Sequence, residues 1–232
     1  MKKPVIQTKN LVKKFVDNEV LKGISMSIYE RDSLAIIGGS GQGKSIFLKC
    51  LTGLIEPDTG EILYEGSLLT GSHKQKLLST FGVVFQGAAL FDSLPIWENI
   101  SFKFKYLGRH TAKERRQLAI QNLELVGLPK NTLDLYPSEL SGGMQKRVGI
   151  ARALATKPKI LFFDEPTAGL DPIMSNTITK LIRNVIRELG LTSITISHDV
   201  NSIVEIADKV ALLHNGTIEW TGTIIEFKKT KN

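Results

Sequence analysis

The chain has few of the features that hold small secreted proteins together. It carries one cysteine in 232 residues. Cys50 therefore has no partner for an internal disulfide, and it reads as a small core residue in a reducing compartment. Apolar runs such as Ile160–Phe163 fall far short of the roughly 20 residues needed to cross a bilayer, which excludes a membrane-spanning protein. Met1-Lys2-Lys3-Pro4 is followed by no long apolar stretch, so a secretory signal is not expected. Low-complexity linkers, heptad runs and fixed-period repeats are missing. Acid is scarcer than base, with 23 Asp and Glu against 30 Lys and Arg and a formal charge of +7. That excess suits nucleic acid, an anionic membrane surface or a polyphosphate ligand. Much of it sits in Lys2, Lys3, Lys9, Lys13, Lys14, Lys228, Lys229 and Lys231, which read as solvated tails.

What is present is the composition of a globular chain, 42% apolar and 23% charged, long enough to bury a full core. The first 35 residues read as short strands, with a turn at Asp17-Asn18 and a break at Gly23. Ser33–Ile37 is an apolar strand that runs into glycines. A helical pattern follows from Lys44 to Leu51, with Gly53 just past its end. Phe81–Phe85, Ile160–Phe163, Ser193–Ser197 and Val210–Leu213 read as buried strands. Alternating with helices, they predict a mostly parallel sheet covered on both faces. Thr111 and Glu114 form a capping box, opening a helix with Leu118, Leu123 and Val126 inward. Gly143 to about Ala155 is helical. Residues 90–157 thus read as a mainly helical insertion between core segments 1–89 and 158–232. A third helix starts at Asp171 and Pro172 and stops before Gly190. Its apolar face comprises Ile178, Leu181, Ile182, Val185 and Leu189.

Gly38-Gly39-Ser40-Gly41-Gln42-Gly43-Lys44-Ser45 matches G-x-x-x-x-G-K-[ST] between a strand and a helix. Glycines let successive backbone N–H groups face one anion, and the helix start adds partial positive charge. Lys44 supplies a full charge near the β and γ phosphates, and Ser45 offers a hydroxyl to Mg²⁺. Ile160–Phe163 ends in Asp164 and Glu165. Asp164 suits Mg²⁺, and Glu165 is then free to polarise a water for attack on the γ-phosphate. Gln86 and His198 follow two further strands. Ligands of parallel sheets bind beyond the carboxyl ends of the strands, so Gly38, Gln86, Asp164 and His198 are expected to converge. His198 is placed to bond the γ-phosphate and Gln86 to reach metal or water. Leu140-Ser141-Gly142-Gly143-Met144-Gln145 is a second glycine-rich helix start without a lysine beside it. It reads either as a plain cap or as a donor set for phosphate held elsewhere, in which case two facing copies would complete each other's sites.

In this order the segments resemble the nucleotide-binding subunit of an ABC transporter over essentially the whole chain. The resemblance implies an α/β P-loop NTPase core of the RecA-like type with an antiparallel β subdomain and an inserted helical subdomain. It implies ATP hydrolysis with ATP and Mg²⁺ as ligands. It assigns Walker A to Gly38–Ser45, with Ile46 adjoining, the Q-loop to Gln86, the signature to Leu140–Gln145 and Walker B to Ile160–Asp164. The D-loop falls at Ala168–Asp171 and the switch histidine at His198. It further implies that Ser45, Gln86 and Asp164 serve the metal. Ser141, Gly142, Gly143, Met144 and Gln145 would act on the nucleotide of a second copy, across a homodimer with two nucleotides at its interface. Phe15 falls where the family places an adenine-stacking aromatic; a core position is the alternative. Met144 stands where Gln is commonest, Ala168 where Ser is frequent, and Gly169 where Ala is.

Seven aromatics, Phe81, Phe85, Phe91, Trp97, Phe102, Phe104 and Tyr106, crowd one stretch. The family docks a membrane permease there, near Gln86–Leu107. Segment 85–94, segment 163–174 and Trp220-Thr221-Gly222 resemble the ATPase of Mla-type systems. Those handle phospholipid at the bacterial inner membrane together with a permease and a mammalian-cell-entry type binding protein. An importer ATPase for amino acids or another small solute has the same chemistry and stands as the alternative. A DNA-linked ABC ATPase is set aside because no long coiled coil separates Walker A from the signature, so no nucleic acid is expected. A small P-loop kinase would leave Leu140–Gln145 and His198 without purpose.

Overall fold

The computed structural model describes residues 3–16, 18–70, 74–75, 78–108 and 110–229. The turn residue Asp17 and the terminal lysines Lys2 and Lys231 lie outside the described residues. Among the described residues the strands, in chain order, are β1 (Pro4–Phe15), β2 (Asn18–Tyr29), β3 (Ser33–Ile37), β4 (Thr59–Tyr64), β5 (Ser67–Leu68), β6 (Phe81–Val84), β7 (Ile160–Asp164), β8 (Thr192–Ile196), β9 (Lys209–His214) and β10 (Thr217–Thr223). The helices are α1 (Lys44–Leu51), α2 (Ile96–Tyr106), α3 (Ala112–Leu125), α4 (Gly142–Ala155), α5 (Pro172–Glu188), α6 (Val200–Ile206) and α7 (Ile224–Lys229).

Two sheets result. One is six-stranded in the order β10-β9-β3-β8-β7-β6, parallel except for β10. The other is antiparallel, in the order β2-β1-β4-β5. The strand β7 shows why the larger sheet is covered on both sides. Successive side chains point to opposite faces. Ile160 and Phe162 join the apolar cluster under α1 and the antiparallel sheet, whereas Leu161 and Phe163 join the cluster formed with α2 to α5. All four are fully buried, each contributing about 1.5–3 kcal/mol relative to exposure. Between β3 and β8 a polar line is satisfied internally: Ser193 Oγ donates to Ser33 Oγ, and Ser33 Oγ to the carbonyl of Ile206.

The stretch between β6 and β7 carries α2, α3 and α4. The capping box at α3 is formed, with Thr111 Oγ1 accepting from the Glu114 amide and Glu114 Oε2 accepting from the Thr111 amide at 2.7 Å. Cys50 is buried on α1, and burial pushes its thiol up to about 11.

Three expectations from the sequence are corrected. The first two strands are not short but span 12 residues each, because register shifts near Thr8/Leu11 and Lys13/Lys14 let the ladder continue through polar positions. Lys9, Lys13 and Lys14 are not tails. They lie in β1, where the neighbouring strands and the approach to β4 bring Glu61, Asp58 and Glu19 within 3.3, 3.1 and 3.5 Å; Lys228 and Lys229 lie in α7. Leu189 does not share the buried face of α5. The helix ends at Glu188 and Leu189, its C-cap, turns outward with 47% exposure.

Candidate functional site

The loop after β3 turns directly into α1. Gly43 caps the helix at φ +98°, and a side chain there would sit 3.0 Å from the Val20 carbonyl as well as in a strained backbone. The Lys44 ammonium folds back over the loop and donates to the carbonyls of Gly38 and Gly39, at 2.8 Å each. Gln42 Oε1 accepts from the Asn215 amide at 2.5 Å, so the turn after β9 braces the loop from behind. Ser45 Oγ donates to Asp164 Oδ1 at 3.2 Å. Burial pushes the Asp164 carboxyl above the usual carboxylate range, and the Ser45 hydrogen bond pulls the other way. A half-buried acid of this kind is stabilised in its charged form by a cation brought alongside.

Glu165 follows Asp164 with φ +47°, a left-handed conformation unusual for a non-glycine residue. Its amide donates to the Ile196 carbonyl. Its carboxylate faces His198, with Oε1 2.9 Å from Nδ1. The Glu165 side chain is 13% exposed and that of His198 70%, so the acid is held at the wall and the imidazole reaches outward.

One cleft of about 620 Å³ is lined by Phe15, Val20, Ser40, Gly41, Gln42, Gly43, Lys44, Ser45, Ile46, Gln86, Glu165 and His198; Gly38, Gly39 and Asp164 are not part of this lining, and Asp164 is joined to it by its bond to Ser45. Four adjacent strands, β3, β8, β7 and β6, deliver their carboxyl ends here. Phe15 is not in the core: it is 43% exposed at the cleft, with the Lys13 ammonium 5.4 Å from its ring centroid. A larger cleft, about 800 Å³, lies between Pro4, Glu65, Lys159 and Leu191 and carries none of these groups.

None of Ser141, Gly142, Gly143, Met144, Gln145 or Asp171 lines the phosphate cleft of their own chain. Ser141 caps α4, accepting from the Met144 amide at 3.3 Å. Gln145 Nε2 donates to the Pro137 and Leu140 carbonyls. Asp171 caps α5, accepting from the Met174 amide at 2.9 Å. Gly143 lies directly against Met174.

Sequence reasoning missed the attachment between α4 and the segment after β6. Lys146 Nζ donates to the Gln86 carbonyl. Arg152 donates to the carbonyls of Ala89 and Ala88, at 2.7 Å each. Gly149 leaves room for Ala88 between them. The available signal was three cations, Lys146, Arg147 and Arg152, within a helix otherwise rich in small and apolar residues.

A parallel sheet whose strand ends meet at a glycine cradle, with a lysine turned over it, places the molecule among the P-loop nucleoside-triphosphatases. The family is narrower than that. The family model described as "ABC transporter" matches residues 21–168, and the chain belongs to that family. It is 37% identical over 246 residues to the protein TRIGALACTOSYLDIACYLGLYCEROL 3, chloroplastic, of Arabidopsis thaliana, covering 98% of this chain and 71% of that one. It is 39% identical over 220 residues to the L-cystine import ATP-binding protein TcyC of Bacillus subtilis, covering 92% and 88%. Among solved structures it is similar to cbiO1 from Clostridium perfringens, part of the ABC transporter complex cbiONQ, with a TM-score of 0.88 at 32% identity over 98% of this chain and 92% of that one. It is also similar to the ATP-binding cassette MJ0796 in a dimeric post-hydrolysis state bound to ADP and Pi, with a TM-score of 0.84 at 31% identity over 94% and 98%.

As an ABC ATPase the chain binds ATP with Mg²⁺ and hydrolyses it. The residues fit both. The Lys44 ammonium lies over the glycine loop, where a phosphate can take the place of its carbonyl partners. The Ser45–Asp164 pair is a hard oxygen donor set of the kind Mg²⁺ takes.

Proposed function

We propose that this chain is the ATP-hydrolysing subunit of a transporter importing an amino acid or another small solute, working as a pair of copies on a membrane permease. The observation that carries the hydrolytic part is the Glu165 carboxylate held at the cleft wall by His198, beside the Ser45–Asp164 pair. Backbone N–H groups of Gly39 to Ser45 and the Lys44 ammonium bind and orient the phosphates, with Ile46 adjoining. Phe15 stacks on the base. Ser45, Asp164 and Gln86 hold Mg²⁺, which when bound neutralises charge on the β and γ phosphate oxygens. Glu165 takes a proton from the attacking water, and His198 orients that carboxylate. Ser141, Gly142, Gly143, Met144 and Gln145 reach the γ-phosphate of the opposite copy, with Asp171 at the same interface. Their position outside the cleft of their own chain supports this reading, and so does the dimeric structure of the similar cassette MJ0796. Residues 90–157 form a helical unit that moves on the 1–89 and 158–232 core as the copies close. The permease docks near Gln86–Leu107, where Phe91 stacks on Phe102 and Tyr106 packs tilted against Phe102. The chain sits on the cytoplasmic face of a bacterial inner membrane.

The similarity to the L-cystine import ATP-binding protein supports the solute class. A second reading, phospholipid transport with a mammalian-cell-entry type binding protein, is favoured by the relative named for a galactolipid and by segment 85–94.

Mixing two inactive variants tests the paired site. Lys44→Ala copies and Ser141→Ala copies should each be inactive alone, and mixed they should recover turnover, because one pocket of each mixed pair is intact. A mixture as inactive as its components refutes sharing. Co-purification of the permease, followed by uptake of labelled amino acid or labelled phospholipid into vesicles, decides between the two cargoes.

A further inference from the structure

We propose that Ser202 is a positioning residue for the pair Glu165 and His198: its hydroxyl, buried behind the cleft, fastens the turn that follows Glu165 to the turn that carries His198, and so sets the distance between acid and imidazole. The inference rests on the roles given above to Glu165 and His198, and adds what holds the two together from below. Glu165 follows the end of β7 and His198 the end of β8, and these strands are neighbours in the sheet. Their ladder closes with the Glu165 amide donating to the Ile196 carbonyl. Beyond that bond the chain turns on both sides. The Ala168 amide donates to the Glu165 carbonyl and the Leu170 amide to that of Thr167, so residues 165–170 form one tight segment. On the other side Asp199 caps α6, and its amide donates to Ser197 Oγ.

Ser202 lies in the first turn of α6 and reaches both segments. Its hydroxyl donates to Asp199 Oδ2 at 2.5 Å. Thr179 Oγ1, from α5, donates to it at 3.2 Å. Thr167 Oγ1 stands 3.5 Å away. A hydroxyl has one proton and two lone pairs. The proton goes to Asp199 and one lone pair to Thr179, which leaves the other lone pair for the Thr167 hydroxyl. Thr167, Thr179 and Ser202 are all buried, at 6%, 2% and 5% exposure, and a buried hydroxyl that loses its partner is costly. Capping the helix does not require this line. Asp199 Oδ1 already does that, accepting from the Asn201 amide at 3.0 Å. The Asp199–Ser202–Thr167 line instead joins a neighbour of His198 to a residue two positions from Glu165.

The test uses the full chain with whatever membrane subunit co-purifies, in single turnovers. Ser202→Ala should lower the hydrolytic rate about tenfold or more. ATP affinity, measured by equilibrium binding, should stay within about threefold. Thr167→Val breaks the same line from its other end and should slow hydrolysis likewise, which keeps the test open where Ser202→Ala does not fold. Thr179→Val removes a bond to the same hydroxyl without touching either turn. It should cost stability but keep the rate within about twofold. In a His198→Ala background Ser202→Ala should cost no further rate. In the isotope-labelled chain the His198 Nδ1 resonance, assigned by its loss in His198→Ala, should move in Ser202→Ala and stay in Thr179→Val. An unchanged rate in either Ser202→Ala or Thr167→Val overturns the proposal. So does an equal loss of affinity, an equal slowing in Thr179→Val, a full further loss beside His198→Ala, or a His198 resonance that does not move. Undiminished hydrolysis in His198→Ala alone overturns the role of His198 instead, so the two failures are told apart.

Discussion

The imidazole Nδ1 of His198 lies 2.9 Å from Glu165 Oε1, while the His198 amide approaches the other carboxylate oxygen at 3.4 Å. One residue thus fixes both oxygens of the acid next to Asp164. Replacing Glu165 by Gln keeps the shape and removes the proton acceptor. Turnover should fall about 100-fold or more while ATP still binds. Phosphate release checks the first part and equilibrium binding the second; undiminished hydrolysis removes Glu165 from its role.

Lys44→Ala removes the full positive charge drawn over the glycine loop by the Gly38 and Gly39 carbonyls. One ion pair at 4 Å is worth about 1–4 kcal/mol between water and a protein-surface dielectric. ATP affinity should therefore weaken about tenfold or more. Calorimetric titration measures it, and retained affinity would contradict the phosphate cradle.

A Cβ at position 143 would stand 2.5 Å from Met174 Sδ and 2.8 Å from its Cγ. Gly143→Ala should therefore destabilise the chain by about 1–3 kcal/mol, as overpacking does. Because the obstacle is a flexible side chain, Met174→Ala should relieve part of that loss, and urea unfolding of the two singles and the double should be non-additive. Strict additivity would mean that Met174 is not what limits this position.

Asp58 accepts from the Lys14 amide at 2.6 Å and from Lys13 Nζ at 3.1 Å. These bonds, the Lys14 amide first, hold its carboxyl below the usual carboxylate value of 3.8. A depressed folded-state pKa stabilises the fold above the unfolded value and loses that contribution as pH falls through the folded one. Wild type should thus lose stability below about pH 4 more steeply than Asp58→Asn. Thermal melts at stepped pH check this, and parallel curves would refute it.

The parallel sheet and the cleft were legible in the sequence because both depend on local patterns. Ile160–Phe163 is too apolar to be anything but a doubly covered strand, and Gly38–Ser45 carries its spacing in eight consecutive residues. Gln86, Asp164 and His198 could be gathered from the rule about strand ends alone. The long β1 and β2 were not legible, because their exposed faces carry Gln7, Lys9 and Lys22 and their bulges interrupt the alternation. Lys146 and Arg152 escaped for another reason. Each bonds a backbone carbonyl 60 or more positions away, and a carbonyl looks the same under every side chain. The direction of Leu189 depended on which residue ended α5, a boundary marked by Gly190 with φ +61°.

The grip of Arg152 on Ala88 and Ala89 sorts the two alanines by tolerance. Ala88 is buried against Gly149 and has no room to grow, whereas Ala89 is exposed and lends only its main chain. Within the limits of its left-handed backbone, position 89 can therefore change its side chain while the Arg152 bond to its carbonyl persists, so that the outer surface of this turn is free to vary where its anchorage is not.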